Sequence, residues 1–228
     1  MSNRGKLIVI EGTDCSGKET QTRKLYERLK SEGVDVFYMS FPKYDTPTGK
    51  IIGGPILGKP SICDSYFGDY ASRIPAKVAS LYYAADRLYN IEQVKINLDF
   101  GTTVILDRYI SSNMAFQGSK EKDAKKRHEL YKFIEELEYG LLDLPRPDET
   151  IFLHMPYLEA KVLKEQREEQ LDRVESDETY LRLGEEAYLE LAGLYNYKTI
   201  KCVENGTIRS IDDINDELYN LVKEAING

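Results

Sequence analysis

The chain has 228 residues, of which 41% are hydrophobic and 31% charged, with a formal net charge of −8; this is the size and make-up of one globular domain spanning 1–228. The negative balance speaks against a nonspecific nucleic-acid binder, no run approaches 18 apolar residues, and the first residues lack the apolar core of a signal peptide, so no membrane partner is expected. Cys15, Cys63 and Cys202 are odd in number and without metal-ligand spacing, which suits a reduced, cytoplasmic setting.

The first apolar run, Leu7 to Ile10, reads as a buried parallel strand. It ends at Glu11 and gives way to Gly12-Thr13-Asp14-Cys15-Ser16-Gly17-Lys18, the G-x-x-x-x-G-K spacing of a phosphate-cradling loop. The two glycines let the backbone turn its N–H groups inward, a helix starting near Gly17 adds the positive end of its dipole, and Lys18 reaches the phosphates. Thr22, Leu25 and Leu29 continue that helix, with Gly33 as its stop. The residue after Lys18, where a Ser or Thr usually ligates Mg²⁺, is Glu19, followed by Thr20.

Val34–Met39 reads as a second strand, ending at the irregular stretch Phe41-Pro42-Lys43-Tyr44. The Gly- and Pro-rich segment 49–60 predicts loops around a short helix. From Pro75 a long helix runs to about Leu98, with Ala79, Tyr83, Leu88, Ile91 and Leu98 on its buried face. Thr102–Leu106 is a third strand, with Asp107-Arg108-Tyr109 at its C-terminal end. A charged helix over 123–139 turns Leu130, Phe133, Ile134 and Leu137 inward, and 150–153 is a fourth strand. Residues 157–178 are helical in pattern and dense in charge, Tyr180 to Leu194 continues as helix, and 199–203 is a fifth strand. Ser210 and Asp213 start a last helix with Ile211, Ile214, Leu218, Leu221 and Ala225 on one face. His128 and His154 stand alone and read as structural. Strands alternating with helices predict a three-layer α/β/α fold with a five-stranded parallel sheet, and ligands then bind outside the C-terminal strand ends. The loop, Phe41–Tyr44 and Asp107–Arg108 converge there.

Within that edge the residue types carry chemistry. Arg108 can grip a phosphate bidentately, the competing reading being a structural ion pair with an Asp. Asp107 can hold Mg²⁺ through water or orient an acceptor, or simply cap or pair. Tyr83 and Arg87 lie one turn apart and share a helix face.

Glu11-Gly12-Thr13-Asp14 with Gly17-Lys18-x-Thr20-Gln21, Phe41-Pro42-x-Tyr44, Tyr83-Ala84-Ala85-Asp86-Arg87, Asp107-Arg108-Tyr109 and Asp172-Arg173-Val174-Glu175 occur together and in this order in thymidylate kinases. The chain resembles that family over about residues 6–195. The resemblance implies a P-loop kinase core with a helical lid at about 157–178, a homodimer, and transfer of the γ-phosphoryl of ATP to dTMP with Mg²⁺. It implies ATP contacts from Gly12, Thr13, Asp14, Cys15, Ser16, Gly17, Lys18, Glu19 and Thr20 and from Arg173 against the adenine, with Asp107, Glu19 and Thr20 toward the metal. For dTMP it implies Asp14 at the sugar 3′-hydroxyl or at metal-bound water, Phe41, Pro42 and Tyr44 beside the monophosphate, and Arg108 on it. Tyr83 would stack on the base, Arg87 would bond its edge, and Ser112, Asn113 and Phe116 would line the base and ribose. Many relatives carry Arg where this chain has Tyr44 or Cys15. The cation that neutralises the transferring phosphoryl is therefore expected from the lid, where Lys164, Arg167 and Arg173 are candidates and Arg167 is preferred. Within the same chemistry the alternatives are a deoxynucleoside kinase or another nucleoside monophosphate kinase. A nucleotide-binding switch is the reading from another class, although no guanine-recognition motif is present.

Overall fold

The first strand sits at the centre of the molecule, as its unbroken apolar run requires. A computed structural model describes residues 4–13, 16–68, 73–165 and 178–227. In it β1 (Leu7–Gly12) is buried at every position and is flanked on one side by β3 (Thr103–Asp107) and on the other by β4 (Glu149–His154). With β2 (Val36–Ser40) beyond β3 and β5 (Lys198–Lys201) beyond β4, the sheet runs in the order β2-β3-β1-β4-β5, all pairs parallel. The direction of winding reverses around β1, so the loop that follows it opens at the switch point of the sheet.

Helices cover both faces. One layer is built on α1 (Lys18–Ser31) and α8 (Ile211–Asn227), whose Leu25, Leu29, Ile214, Leu218 and Val222 pack on Ile8, Ile10 and Ile151. The other holds α3 (Ala76–Asp99), α4 (Ile110–Gly118), α5 (Ala124–Glu135) and α7 (Glu178–Leu194) over Leu7, Val9 and Phe152. A short α2 (Pro47–Ile51), capped by Thr46, runs into a π-helical turn at Ile52–Ile56. There Gly49 lies so close to the Lys43 carbonyl that a Cβ would stand 1.8 Å from its oxygen. After β4 comes α6 (Tyr157–Glu165), and a two-stranded hairpin, β6 (Val203–Glu204) with β7 (Thr207–Ile208), precedes α8. No helix among the described residues is long and apolar enough to cross a membrane.

The alternation of strands and helices follows the sequence, and four features do not. Helix α4 carries no amphipathic stripe, because eight of its nine residues are buried. On α3 Leu88 is 45% exposed, while Asp86, Arg87 and Asn90 are buried; Asp86 and Asn90 face Lys43, Thr46 and Thr48, Arg87 faces Glu138, and an apolar stripe of Val78, Leu81, Tyr82, Leu88, Tyr89 and Ile96 faces outward. The helix predicted over 123–139 widens into a π-helical turn at Glu136–Leu141, where the Leu142 amide donates to the Leu137 carbonyl at 3.0 Å. Widening rotates Glu138, not Leu137, into full burial. Ile211 on α8 is likewise exposed, although Ser210 caps that helix as its sequence implies, accepting from the Asp213 amide at 3.1 Å.

Helices α4 and α5 cross where Gly118 meets Tyr131. A Cβ on Gly118 would lie 2.4 Å from the ring, which is 2% exposed and tethered through its hydroxyl to Glu190 at 3.0 Å. The ring has no room to retreat, so Gly118→Ala is expected to lower unfolding free energy by about 1–3 kcal/mol, the scale of an overpacked core. Urea titration checks this, and an unchanged midpoint would mean the crossing is looser than the contact implies.

Candidate active site

The phosphate loop leaves β1 at Gly12 and enters α1 through Gly17, which takes a left-handed φ of 73° as the residue before the helix. That turn leaves the first-turn amides of α1 facing outward from a helix N-terminus, the electrostatic requirement for a phosphate. Lys18 is the first helical residue and is 8% exposed. Its ammonium pairs with the carboxylate of Asp107, at the end of β3 and 4% exposed. Burial, with the charge of Arg108 second, pulls the Lys18 ammonium below its ordinary value, against the opposing pull of Asp107 and Glu11. The Ser16 hydroxyl is buried and without a hydrogen-bond partner among the described residues.

Behind the loop lies a carboxylate with no exposure. Glu11 accepts from the Tyr109 amide at 2.9 Å, the Ser112 amide at 3.1 Å, the Ser112 hydroxyl at 2.6 Å and the Tyr188 hydroxyl at 2.9 Å. Two of these donors are backbone groups at the start of α4, so the carboxylate holds the turn after β3 against β1, and Tyr188 brings α7 to the same point. Burial raises the Glu11 carboxyl above its ordinary value, outweighing the hydrogen bonds from Ser112, Tyr109 and Tyr188 and the Arg108 charge that favour ionisation. Arg108 sits in that turn with φ of 67°, a conformation a non-glycine residue adopts only under local constraint. Its Nη1 donates to the Gly12 carbonyl at 3.0 Å, Ser112 at 3.3 Å and Tyr188 at 3.2 Å, and its guanidinium lies 5.3 Å from the centre of the Phe116 ring.

Across from the loop, β2 ends at Phe41, which is followed by a cis bond to Pro42. Phe41 donates its amide to the Asp107 carbonyl at 3.0 Å and packs on Tyr109. Asp86 on α3 then fastens the stretch by accepting from the Lys43 amide at 2.9 Å and the Thr48 hydroxyl at 2.8 Å. Tyr44 and Tyr83 are half-buried against the small cluster around Ile52, Ile56 and Ala79. Next to Asp86, Arg87 is buried, and its Nη2 donates to the Glu138 carboxylate at 2.6 Å while Nε pairs with the other oxygen. Asn113 on α4 donates to the same carboxylate at 2.8 Å.

The chain as a whole is similar to known proteins. The family model described as Thymidylate kinase covers residues 10–214. The chain belongs to the thymidylate kinase family. It is 33% identical to a thymidylate kinase of Halothermothrix orenii over 98% of this chain and 99% of that one, and 29% identical to one of Schizosaccharomyces pombe over 98% and 94%. A solved thymidylate kinase from Candida albicans superposes with a TM-score of 0.72 at 25% identity, covering 97% of this chain and 92% of that one. The chain is accordingly an ATP-dependent phosphotransferase acting on dTMP.

As a thymidylate kinase it brings most of its predicted site residues to one edge. Gly12, Thr13, Ser16, Gly17 and Lys18 form the loop, and Thr13 donates to the Met155 carbonyl at 3.3 Å beyond β4. Asp107, Arg108, Ser112, Asn113 and Phe116 follow β3, while Phe41, Pro42, Tyr44, Tyr83 and Arg87 come from β2's end and α3. Glu19 and Thr20 are exposed, and Glu19 pairs with Arg23 at 3.0 Å, one turn along the helix. Asp14, Cys15, Arg167 and Arg173 lie outside the described residues, as does the side chain of Lys164. His128 and His154 each face a carboxylate on α7, Glu190 and Glu185. Three supports escaped the sequence reading: Glu11, Tyr188 and Glu138. For Glu11 a signal existed, since an acid closing a buried apolar strand must find several donors.

No cluster of three metal-ligating acids, histidines or cysteines occurs among the described residues. A Mg²⁺ held chiefly by substrate phosphates needs only one or two protein oxygens. The Asp107 carboxylate and the unpartnered Ser16 hydroxyl are hard donors of that kind, so the residues fit the ion.

The Glu11 carboxyl yields a pH test. Its folded value is raised above 4.5, so the stability it contributes is fully present below the unfolded value and is lost as pH rises through the folded one. Glu11→Gln cannot titrate. The stability of the native chain relative to Glu11→Gln will fall as pH rises above the unfolded carboxyl value and level off once the folded carboxyl has ionised, read by urea unfolding at each pH. Parallel profiles would mean that Glu11 does not change protonation over this range.

Proposed function

We propose that the edge formed by the loop, Asp107–Arg108 and α3 is where the γ-phosphoryl of ATP passes to dTMP. The observation that supports this most is the buried Lys18–Asp107 pair lying between the phosphate loop and Arg108. Lys18 and the first amides of α1, with Gly12, Thr13, Ser16 and Gly17 shaping the loop, would hold the donor phosphates. Arg108, braced by Ser112 and Tyr188, would hold the acceptor monophosphate near them. Phosphoryl transfer asks mainly for alignment and charge neutralisation. A polyphosphate in the loop draws Lys18 away from Asp107 and leaves that carboxylate for the metal. Mg²⁺, held by Asp107 with Ser16, Glu19 or Thr20 as further donors, would neutralise phosphate charge. On the acceptor side Tyr83, Arg87, Asn113 and Phe116 would hold base and ribose, with Asp14, Phe41, Pro42 and Tyr44 beside the sugar and phosphate. Arg167 would supply the lid's cation and Arg173 would meet the adenine.

A coupled ADP-release assay tests the assignment. Turnover is expected to be highest with dTMP, lower with dUMP, UMP and thymidine, and Lys18→Ala should lower kcat by roughly 10²-fold, the loss of one transition-state contact. Faster turnover of thymidine than of dTMP would overturn the acceptor assignment.

The chain is further proposed to work as a homodimer in the cytoplasm. What supports the dimer is the stripe of Val78, Leu81, Tyr82, Leu88, Tyr89 and Ile96 along the outward face of α3, each at least 37% exposed. An apolar face along a 24-residue helix is the kind of surface that a second copy covers. Introducing Leu81→Glu and Leu88→Glu together should shift sedimentation velocity from dimer to monomer. A dimer that survives both charges assembles through another face.

A further inference from the structure

The mechanism leaves Glu138 without a part, although it is the only acid on the charged helix 124–141 with no exposure at all. Its position is made by the π-helical turn, a feature that recurs at functional sites. One carboxylate oxygen, Oε2, takes Arg87 Nε; the other, Oε1, takes Arg87 Nη2 at 2.6 Å and Asn113 Nδ2 at 2.8 Å. Burying such a pair is seldom a gain in stability, since a well-packed apolar pair of the same volume does as well or better. Its value therefore lies in what it positions.

Asn113 shows what that is. Its NH₂ group meets two acceptors, Glu138 Oε1 and the Ser80 carbonyl at 3.3 Å, neither of which can donate. The amide thus has one allowed orientation, with Oδ1 turned away from both. Oδ1 is buried and has no hydrogen-bond partner among the described residues. Arg87 is bound to the carboxylate along its Nε–Nη2 edge, so Nη1, on the far edge of the planar guanidinium, keeps its donors with no acceptor among the described residues. One fixed acceptor and one fixed donor remain. Thymine and uracil present the complement, an N3–H donor beside a C4 carbonyl acceptor, whereas cytosine reverses both.

We propose that Glu138 is a positioning residue that sets acceptor-base specificity, by locking the Asn113 amide with its oxygen presented and the Arg87 guanidinium with one edge presented. This rests on the assignment of Arg87 and Asn113 to the acceptor base made above. Glu138→Gln places a donor where Asn113 now finds only an acceptor, and frees its amide to turn over and offer NH₂ to the base. The same change removes one of the two bonds to Arg87.

The test is the ratio of kcat/KM for dTMP to that for dCMP in the full chain, with KM for ATP as a control. In Glu138→Gln the ratio should fall by about tenfold or more, the scale on which a mispaired buried polar group discriminates. Glu138→Asp keeps the charge but withdraws it by one methylene, and should lower the ratio by a smaller factor. This second variant serves if the first fails to fold. A structural role alone would lower the melting temperature and reduce both acceptors in proportion, so an unchanged or increased ratio in either folded variant overturns the proposal. A native chain that fails to turn over dTMP overturns the function itself, a separate outcome.

Discussion

The buried carboxylate of Glu11 is the constraint on which the site depends. It lies at the end of the central strand, fully enclosed, and a carboxylate there is tolerable only if donors surround it. Those donors come from two places in the chain: the start of α4, with the Tyr109 and Ser112 amides and the Ser112 hydroxyl, and Tyr188 on α7. Satisfying one acid therefore fixes the turn that carries Asp107 and Arg108 relative to the loop that carries Lys18. The left-handed backbone at Arg108 is held by this arrangement, and its guanidinium is in turn braced by the Gly12 carbonyl and Tyr188.

A second buried acid organises the other half of the site by the same logic. Glu138 gathers Arg87 from α3 and Asn113 from α4, as Asp86 gathers the backbone beyond β2. Each half is thus an acid inside a shell of donors rather than a pocket shaped by apolar packing alone. Such networks are costly when incomplete and rigid when complete. The apolar layers around Leu7, Val9 and Phe152 supply the rigid frame in which that completeness is reached.

Much of this was legible in the sequence because strands buried on both faces read as continuous apolar runs and glycines mark where they stop. The loop, Phe41–Tyr44 and Asp107–Arg108 could be brought to one edge from the alternation of elements alone. What stayed hidden depends on partners distant in sequence. Arg87 stands out as a residue, but nothing local says that its counter-ion is Glu138, which sits in a charged stretch that reads as a solvated face. A regular helix would have turned Leu137 inward; the wider turn reverses that, and no periodicity announces it. Helix α4 was missed for a related reason, since a helix enclosed on every side offers no stripe to detect. On α3 the apolar residues follow helical spacing on two faces, one toward the core and one outward, so Leu88 could not be assigned from its period.

The place of β1 in the sheet has a bearing on how the chain is made. Its hydrogen-bonding neighbours are Val104–Asp107 on one side and Glu149–Leu153 on the other, so β1 is made before both of the strands that enclose it. Until Val104–Asp107 has been made the run Leu7–Ile10 has no strand to pair with, and its other edge stays open until Glu149–Leu153 follows. Long-range parallel pairing of this kind is slow, and it leaves apolar segments open to association with other chains in the interval. The apolar run Leu7–Ile10 therefore depends for its burial on strands made about 100 and 140 residues later.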